Sequence, residues 1–268
     1  MSHNDNPTYS PQTRAVMNDF LPICHEFAVG RFAISVGGST GKGTWDSQSD
    51  VDFRLFCDGP FPTPEEKPAA WQAYLDAMET WKQRGIFVDG IWMRTIGEID
   101  AALARWINGE IAPPDLIWTV WGYHVLPDIF HQAPIEDPHG VIAGWKEQLR
   151  VFPPRLKQAL LKKHVDSARY WQADYHYRSK VGRGDVVFLA GLTSQLVHDL
   201  IQILFALNEE YFVGDGSNLK FVEKFAIKPE NFAGKVAEIL YPPDGPERLQ
   251  RQYNQLSQLI DEVAGLVK

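Results

Sequence analysis

Residues 50–56, Asp-Val-Asp-Phe-Arg-Leu-Phe, alternate strictly, with Val51, Phe53 and Leu55 on one side and Asp50, Asp52 and Arg54 on the other. Side chains two apart on a strand share a face, so this run reads as a strand with one apolar face and one bearing two neighbouring carboxylates. Two such charges repel unless a cation lies between them. Carboxylate oxygens suit hard divalent ions such as Mg²⁺. The strand therefore needs a packed layer on one side and a cation or water on the other.

The flanking sequence supplies the rest of a small sheet. Residues 12–29 have helical spacing, with Val16, Phe20, Leu21, Cys24 and Phe27 as the apolar stripe and Gly30 as the stop. Arg31–Val36 reads as a strand that ends at Gly37-Gly38-Ser39, and a loop rich in Gly, Ser, Thr and Asp runs on to Ser49. Glycines let the backbone approach a ligand closely, and the following N–H groups and the Ser39 hydroxyl can receive phosphate oxygens. Thr63-Pro64-Glu65-Glu66 predicts a capped helix to about Arg84, ended by Gly85. Ile86–Arg94 is a third strand, and Thr95-x-x-Glu98 opens a helix that ends near Asn108-Gly109. Asp89 interrupts that otherwise apolar third strand. An acid there is costly unless paired, hydrogen-bonded or bound to a cation, so Asp89 is the candidate third metal ligand or the general base toward an acceptor hydroxyl.

The second half has a different pattern. Ile111–Gly140 is rich in proline and reads as irregular, with a domain junction within it or just after it. Pro153-Pro154 opens one long helix to about Lys180, and Gly182-Arg183-Gly184-Asp185 is a turn with Asp185 as the next N-cap. The following helix reaches Asn208, a loop runs to Gly216, and shorter helices follow, the last from about Pro246. The expectation is an α+β chain: a small mixed-sheet domain over residues 1–135, then an all-α helical bundle over 136–268. Arg178, Lys180 and Arg183 gather at a helix end, where they either complement its dipole or meet a phosphate. Trp171, Asp174, Tyr175 and His176 form an aromatic and acidic patch that either packs a core or receives a cationic acceptor.

Composition excludes several classes. The net charge is -8 with no basic stripe, which argues against long nucleic acid. Cys24 and Cys57 make no metal-binding spacing and are expected as reduced thiols in a cytoplasmic protein. The first residues are polar and lack an apolar signal core. Leu189–Leu207 is apolar but carries Thr193, Ser194, Gln195, His198, Asp199 and Gln202, so a buried helix is expected rather than a membrane span. The eight histidines show no zinc-site arrangement, and neither Ser-His-Asp nor Cys-His catalysis has a handle.

The run Gly37-Gly38-Ser39, a spacer, Ser49-Asp50-Val51-Asp52 and a later acid on a strand resembles the DNA polymerase β-like nucleotidyltransferase superfamily. The resemblance implies Asp50 and Asp52 as ligands of two Mg²⁺ on a nucleoside triphosphate. It also implies Gly37, Gly38, Ser39 and Ser49 at the phosphates, and Asp89 as third carboxylate. Lys42 stands in a spacer that is usually small and acidic or neutral; it is either a phosphate contact or a solvated side chain. Arg183-Gly184-Asp185, Leu204–Asn208, Tyr211-Phe212 and Lys220 resemble the helical domain of DUF4037-type and aminoglycoside-adenylyltransferase-like proteins, which implies a bundle closing over the nucleotide with Lys220 reaching its phosphates. The expected reaction is Mg²⁺-dependent transfer of a nucleoside monophosphate, AMP from ATP by default, to a hydroxyl of a small acceptor such as an aminoglycoside-like compound. The alternatives are a nucleotide-binding sensor or partner protein without transfer, and an enzyme that transfers AMP to a protein. Oligomeric state is left open.

Overall fold

The computed structural model describes residues 9–46, 49–111, 125–214, 216, 218–245 and 247–267. Among them, twelve helices and one four-stranded mixed sheet give an α+β architecture. The chain divides into two compact units. The first comprises the described residues of Met1–Ala104 and Val125–Val151, the second those of Arg105–His124 and Phe152–Lys268.

The first unit is built on β1 (Phe32–Val36), β2 (Val51–Cys57), β3 (Val88–Thr95) and β4 (Ala133–Glu136), in the order β3-β2-β1-β4. Strand β2 is antiparallel to β1 and parallel to β3, and β4 runs antiparallel to β1. A parallel neighbour needs a crossover, and α3 (Pro68–Gln83) provides it. The apolar face of β2 forms one core with α1 (Pro11–Phe27) and α3. Val51, Phe53 and Leu55 are buried there with Val16, Phe20, Phe27 and Trp81, and the ring of Phe20 stacks on Phe53 at 5.0 Å. Each such side chain contributes about 1.5–3 kcal/mol on leaving water. Ser10 caps α1 by accepting from the Thr13 N–H at 2.9 Å.

Local signals in this unit are only partly followed. The Thr63 capping box forms, with Thr63 N–H donating to Glu66 Oε2 at 2.8 Å and Glu66 N–H to Thr63 Oγ1 at 3.4 Å. It closes a separate turn, and α3 begins only at Pro68. Proline disfavours helical backbone in the residue before it, and Lys67 stands at φ -133°, ψ 63°. The second box works as expected: Thr95 N–H donates to Glu98 Oε2 at 2.8 Å at the start of α4 (Ile96–Ile107). The Gly37–Ser49 loop contains one short helix, α2 (Gly38–Gly41).

The proline-rich segment is the main departure. Residues 112–124 lie outside the described residues, but the remainder of Ile111–Gly140 contains α5 (Val125–His131) and β4 rather than only irregular chain, and α6 (Val141–Gln148) follows it. Pro134 is tolerated because β4 is an edge strand. Asp137 ties down the start of α6, accepting from Val141 N–H at 2.7 Å and Ala143 N–H at 2.8 Å. Because β4 completes the sheet and α6 packs against β1, the first unit continues past residue 135 to Val151.

Among its described residues the second unit is helical: α7 (Pro154–Ala173), α8 (Tyr175–Arg183), α9 (Val186–Leu207), α10 (Asn218–Val222), α11 (Phe232–Leu240) and α12 (Arg248–Ala264). The long helix expected from Pro154 to Lys180 is broken at Asp174. Its carboxylate accepts from His176 N–H at 2.7 Å and Tyr177 N–H at 3.3 Å, which caps α8 and ends α7. Asp185 caps α9 as expected, accepting from Phe188 N–H at 3.3 Å. Pro246, the expected start of the last helix, lies outside the described residues. Helix α9 is central, burying Leu196, Leu200, Ile203 and Leu204. Of the described helices it alone is long and apolar enough to cross a membrane, yet more than half of its apolar window is buried. It also carries buried Asp199, bonded to His164 Nδ1 and Ser167 Oγ of α7, each at 2.7 Å.

Candidate functional site

The second face of β2 gathers charge. Asp52 and Arg54 are both buried there, and Asp50 precedes them by one strand period. The turn after β1 presses onto this face. Gly37 N–H donates to the Asp52 carbonyl at 2.9 Å. Gly38 adopts φ +56°, and a Cβ built on it would lie 1.9 Å from Asp52 Oδ2, so no side chain fits between turn and carboxylate. A Cβ on Gly37 would come within 2.8 Å of the Arg54 guanidinium. The expected juxtaposition of glycine turn and strand acids is therefore present in space.

Asp89 reaches the same group through an irregularity. Val51 pairs with Val88 but Asp52 pairs with Gly90, so Asp89 is the extra residue of a bulge, where a strand re-aims a side chain. The residue is largely exposed, yet its carboxyl is pushed up by partial burial and by the charge of Asp50, with Arg54 opposing. The Asp52 carboxyl is pushed up to about 6 by burial. Arg54 opposes that shift, and the charges of Asp50, Asp128 and Asp89 add to it.

Two participants were not foreseen as site residues. Arg54 donates from Nε to Asp128 Oδ2 at 2.8 Å and from Nη2 to Asp128 Oδ1 at 3.2 Å, and it lies 3.7 Å from Asp52 Oδ1. Strand alternation already placed Arg54 beside Asp52. Asp128, on α5, had no local signal: its partner is remote in sequence, and its own surroundings read as irregular.

The remaining expected residues are distributed as follows. Ser39 Oγ is buried and has no hydrogen-bond partner among the described residues, which is costly for a hydroxyl and leaves it open to a ligand oxygen. Lys42, at the end of α2, has its pKa lowered by burial, with the charges of Asp128 and Asp52 opposing and Arg54 adding to the lowering, so it sits within their field. The Ser49 hydroxyl is engaged locally, accepting from Asp46 N–H at 2.9 Å and donating to Asp46 Oδ1 at 3.2 Å. Lys220 is exposed on α10 in the second unit. Lys180, of the basic cluster, pairs with Asp185 at 2.6 Å.

Among the described residues, no group of three or more His, Cys, Asp or Glu side chains is arranged to hold a metal ion by itself. Mg²⁺ seldom uses such a cage. It keeps several waters and binds through one or two carboxylates plus substrate phosphates. Asp52, with Asp50 one strand period before it, lies against a glycine turn too close for a side chain, and Ser39 of that turn has an unpartnered hydroxyl; these are compatible with a metal arriving on a phosphate.

A family model described as a domain of unknown function (DUF4037) matches residues 125–214, from α5 through the end of α9 and the segment after it. No curated protein matches the chain.

Proposed function

We propose that the first unit carries the chemistry of a Mg²⁺-dependent nucleotidyltransferase, moving a nucleoside monophosphate, AMP from ATP by default, onto a hydroxyl of a small acceptor. The approach of Gly38 to Asp52 carries the reading. A glycine turn whose backbone lies directly against a buried carboxylate brings phosphate-binding main chain beside an acid face, which suits a small, highly charged ligand group with its cation. The unpartnered Ser39 Oγ and the bulge that presents Asp89 support it.

In this reading Asp50 and Asp52 hold the metal, and Ser39 Oγ–H donates to a phosphate oxygen. Bound divalent ions would neutralise phosphate charge and favour departure of pyrophosphate. Lys42 adds a positive charge within reach of the same field. Asp89 accepts the proton of the acceptor hydroxyl as that oxygen bonds to the α-phosphorus. The bond from the α-phosphorus to the bridging oxygen breaks, and pyrophosphate leaves with that electron pair. A carboxylate whose pKa is raised is a better base than an ordinary one.

A nucleotide-binding sensor without transfer is the second reading. Arg54 favours it, because a resident cation between Asp52 and Asp128 already balances part of the acid charge. Incubation with Mg²⁺, labelled ATP and a panel of hydroxylated acceptors separates the two. Labelled product that disappears with Asp52→Asn supports transfer. Mg-ATP binding with neither product nor self-modification supports the sensor.

A further inference from the structure

The acid face continues along β3 into a region of opposite character. Register pairs Arg54 with Trp92 and Phe56 with Arg94, so Trp92 and Arg94 follow one another on the face that holds Asp52. The Trp92 ring receives two guanidinium groups, Arg54 at 5.2 Å and Arg94 at 4.6 Å from its centroid. Their circumstances differ. The charge of Arg54 is met by Asp128 and Asp52. Arg94 is half-buried and, among the described residues, its side chain forms no ion pair and no hydrogen bond; Trp92 alone holds it.

Resting on the transfer reading above, we infer that Arg94, laid on Trp92, anchors an anionic group of the acceptor, so that the acceptor is a hydroxylated carboxylate or phosphate ester rather than a polycation. A guanidinium is planar, weakly hydrated and pre-organised for two parallel bonds to a carboxylate or phosphate. The contact with the Trp92 ring holds the guanidinium in place, and its N–H groups are left to a partner. At about 3.3 Å per residue, position 94 lies roughly 16 Å along β3 from Asp89, the proposed base, but the Arg94 guanidinium reaches back over Trp92, whose own position is roughly 10 Å from Asp89. A sugar-sized molecule bridges that span with its anion at Arg94 and a hydroxyl at Asp89. A polycation would meet the uncompensated guanidinium of Arg94 here. The net charge of -8 attracts polycations only at long range, and screening beyond about 8–10 Å leaves the choice to local charge.

The test uses the whole chain with Mg²⁺ and a nonhydrolysable ATP analogue, titrated calorimetrically with glucose 6-phosphate, glucuronate and glucose. One or both anions should bind about 10- to 100-fold more tightly than glucose, and the stronger of the two identifies the anion. Arg94→Gln should erase that preference and Arg94→Lys should keep part of it, with Mg-ATP affinity and circular dichroism reporting that each variant is folded. No preference for either anion, or a preference that survives Arg94→Gln, overturns the inference. Anion binding that depends on Arg94 without any AMP transfer would leave this site standing and remove the transfer reading. Transfer to neutral and anionic acceptors alike would do the reverse.

Discussion

Arg54 of β2 and Asp128 of α5 meet at 2.8 Å with both side chains almost wholly buried. The pair ties the sheet to a helix that the sequence leaves without an obvious anchor. Breaking a buried pair by removing one partner leaves a charge stranded, at a cost of about 3–5 kcal/mol. The two removals are not equivalent. Asp128→Ala leaves Arg54 still facing Asp52 at 3.7 Å, whereas Arg54→Met leaves two acids without their guanidinium. Arg54→Met is therefore expected to destabilise the first unit more than Asp128→Ala, by about 1 kcal/mol or more. Urea unfolding followed by tryptophan fluorescence, to which Trp81 in the same unit's core contributes, measures both. Equal or reversed losses would show that Asp52 draws little from Arg54.

Substitution at Gly38 isolates the cradle from simple backbone strain. Gly38 and Gly43 both have positive φ, +56° and +67°, so alanine costs about 1–2 kcal/mol of strain at either. A Cβ at Gly43 meets nothing within 4 Å, while one at Gly38 overlaps the Asp52 carboxylate. Both variants carry the strain, and Gly38→Ala should lose further stability because Asp52 must move, so binding is compared with each variant shown by circular dichroism to be folded. Gly38→Ala should weaken Mg-ATP binding at least about tenfold, a loss of roughly 1.4 kcal/mol, and Gly43→Ala should leave it near the wild-type value. Fluorescence or calorimetric titration reads the difference, and parallel weakening of both variants rules out the cradle.

Burial pushes the Asp52 carboxyl to about 6, from an ordinary value of 3.8. The folded state therefore holds this proton more tightly than the unfolded chain does. The resulting stabilisation is fully present below pH 3.8 and is lost as pH rises through about 6. A shift of that size corresponds to about 3 kcal/mol. Asp52→Asn removes the titration, so the variant should gain stability relative to wild type between pH 4 and pH 7. Mg²⁺ with nucleotide should offset the wild-type loss at neutral pH, because it supplies the missing counter-charge. Denaturant titrations of both proteins across that range provide the check, and a difference between them that stays flat with pH contradicts the assignment.

What could be read from the sequence divides by the distance over which each signal acts. The alternation of β2, the glycine turn before it and the capping box at Thr95 depend on neighbours within a few residues, and each is found where its pattern predicts. The failures have causes of the same kind. Thr63 caps only a turn because Pro68 forces Lys67 out of helical backbone. Asp174 divides the expected long helix because its carboxylate offers two N–H groups a partner that the helix ladder cannot match. Strand β4 and α5 were hidden because an edge strand that contains Pro134 and a helix that contains Pro127 lack a clean period, and both depend on the sheet for their place. At the candidate site, Asp50 and Asp52 were legible from one strand, as was the face that Arg54 occupies but not its part in the site. Asp128 was not, because only the folded chain brings it to Arg54.

The bulge at Asp89 depends on a close approach from behind the sheet. Gly90 has φ +95°, and a Cβ on it would lie 2.7 Å from the Tyr74 hydroxyl, which also interacts with the Ile91 backbone. Tyr74 reaches this point from α3, with its ring packed among Phe20, Phe27 and Trp71. Gly90→Ala should therefore suffer twice, once from backbone strain and once from the hydroxyl. Tyr74→Phe removes the second cost while keeping the ring. A double-mutant cycle should show Gly90→Ala costing about 1 kcal/mol less in the Tyr74→Phe background than in wild type. If Asp89 acts as the base, Tyr74→Phe should also lower kcat more than it raises KM for ATP, since the hydroxyl touches the bulge and not the phosphate cradle. Strict additivity in the cycle would mean that the sheet holds the bulge without the Tyr74 hydroxyl.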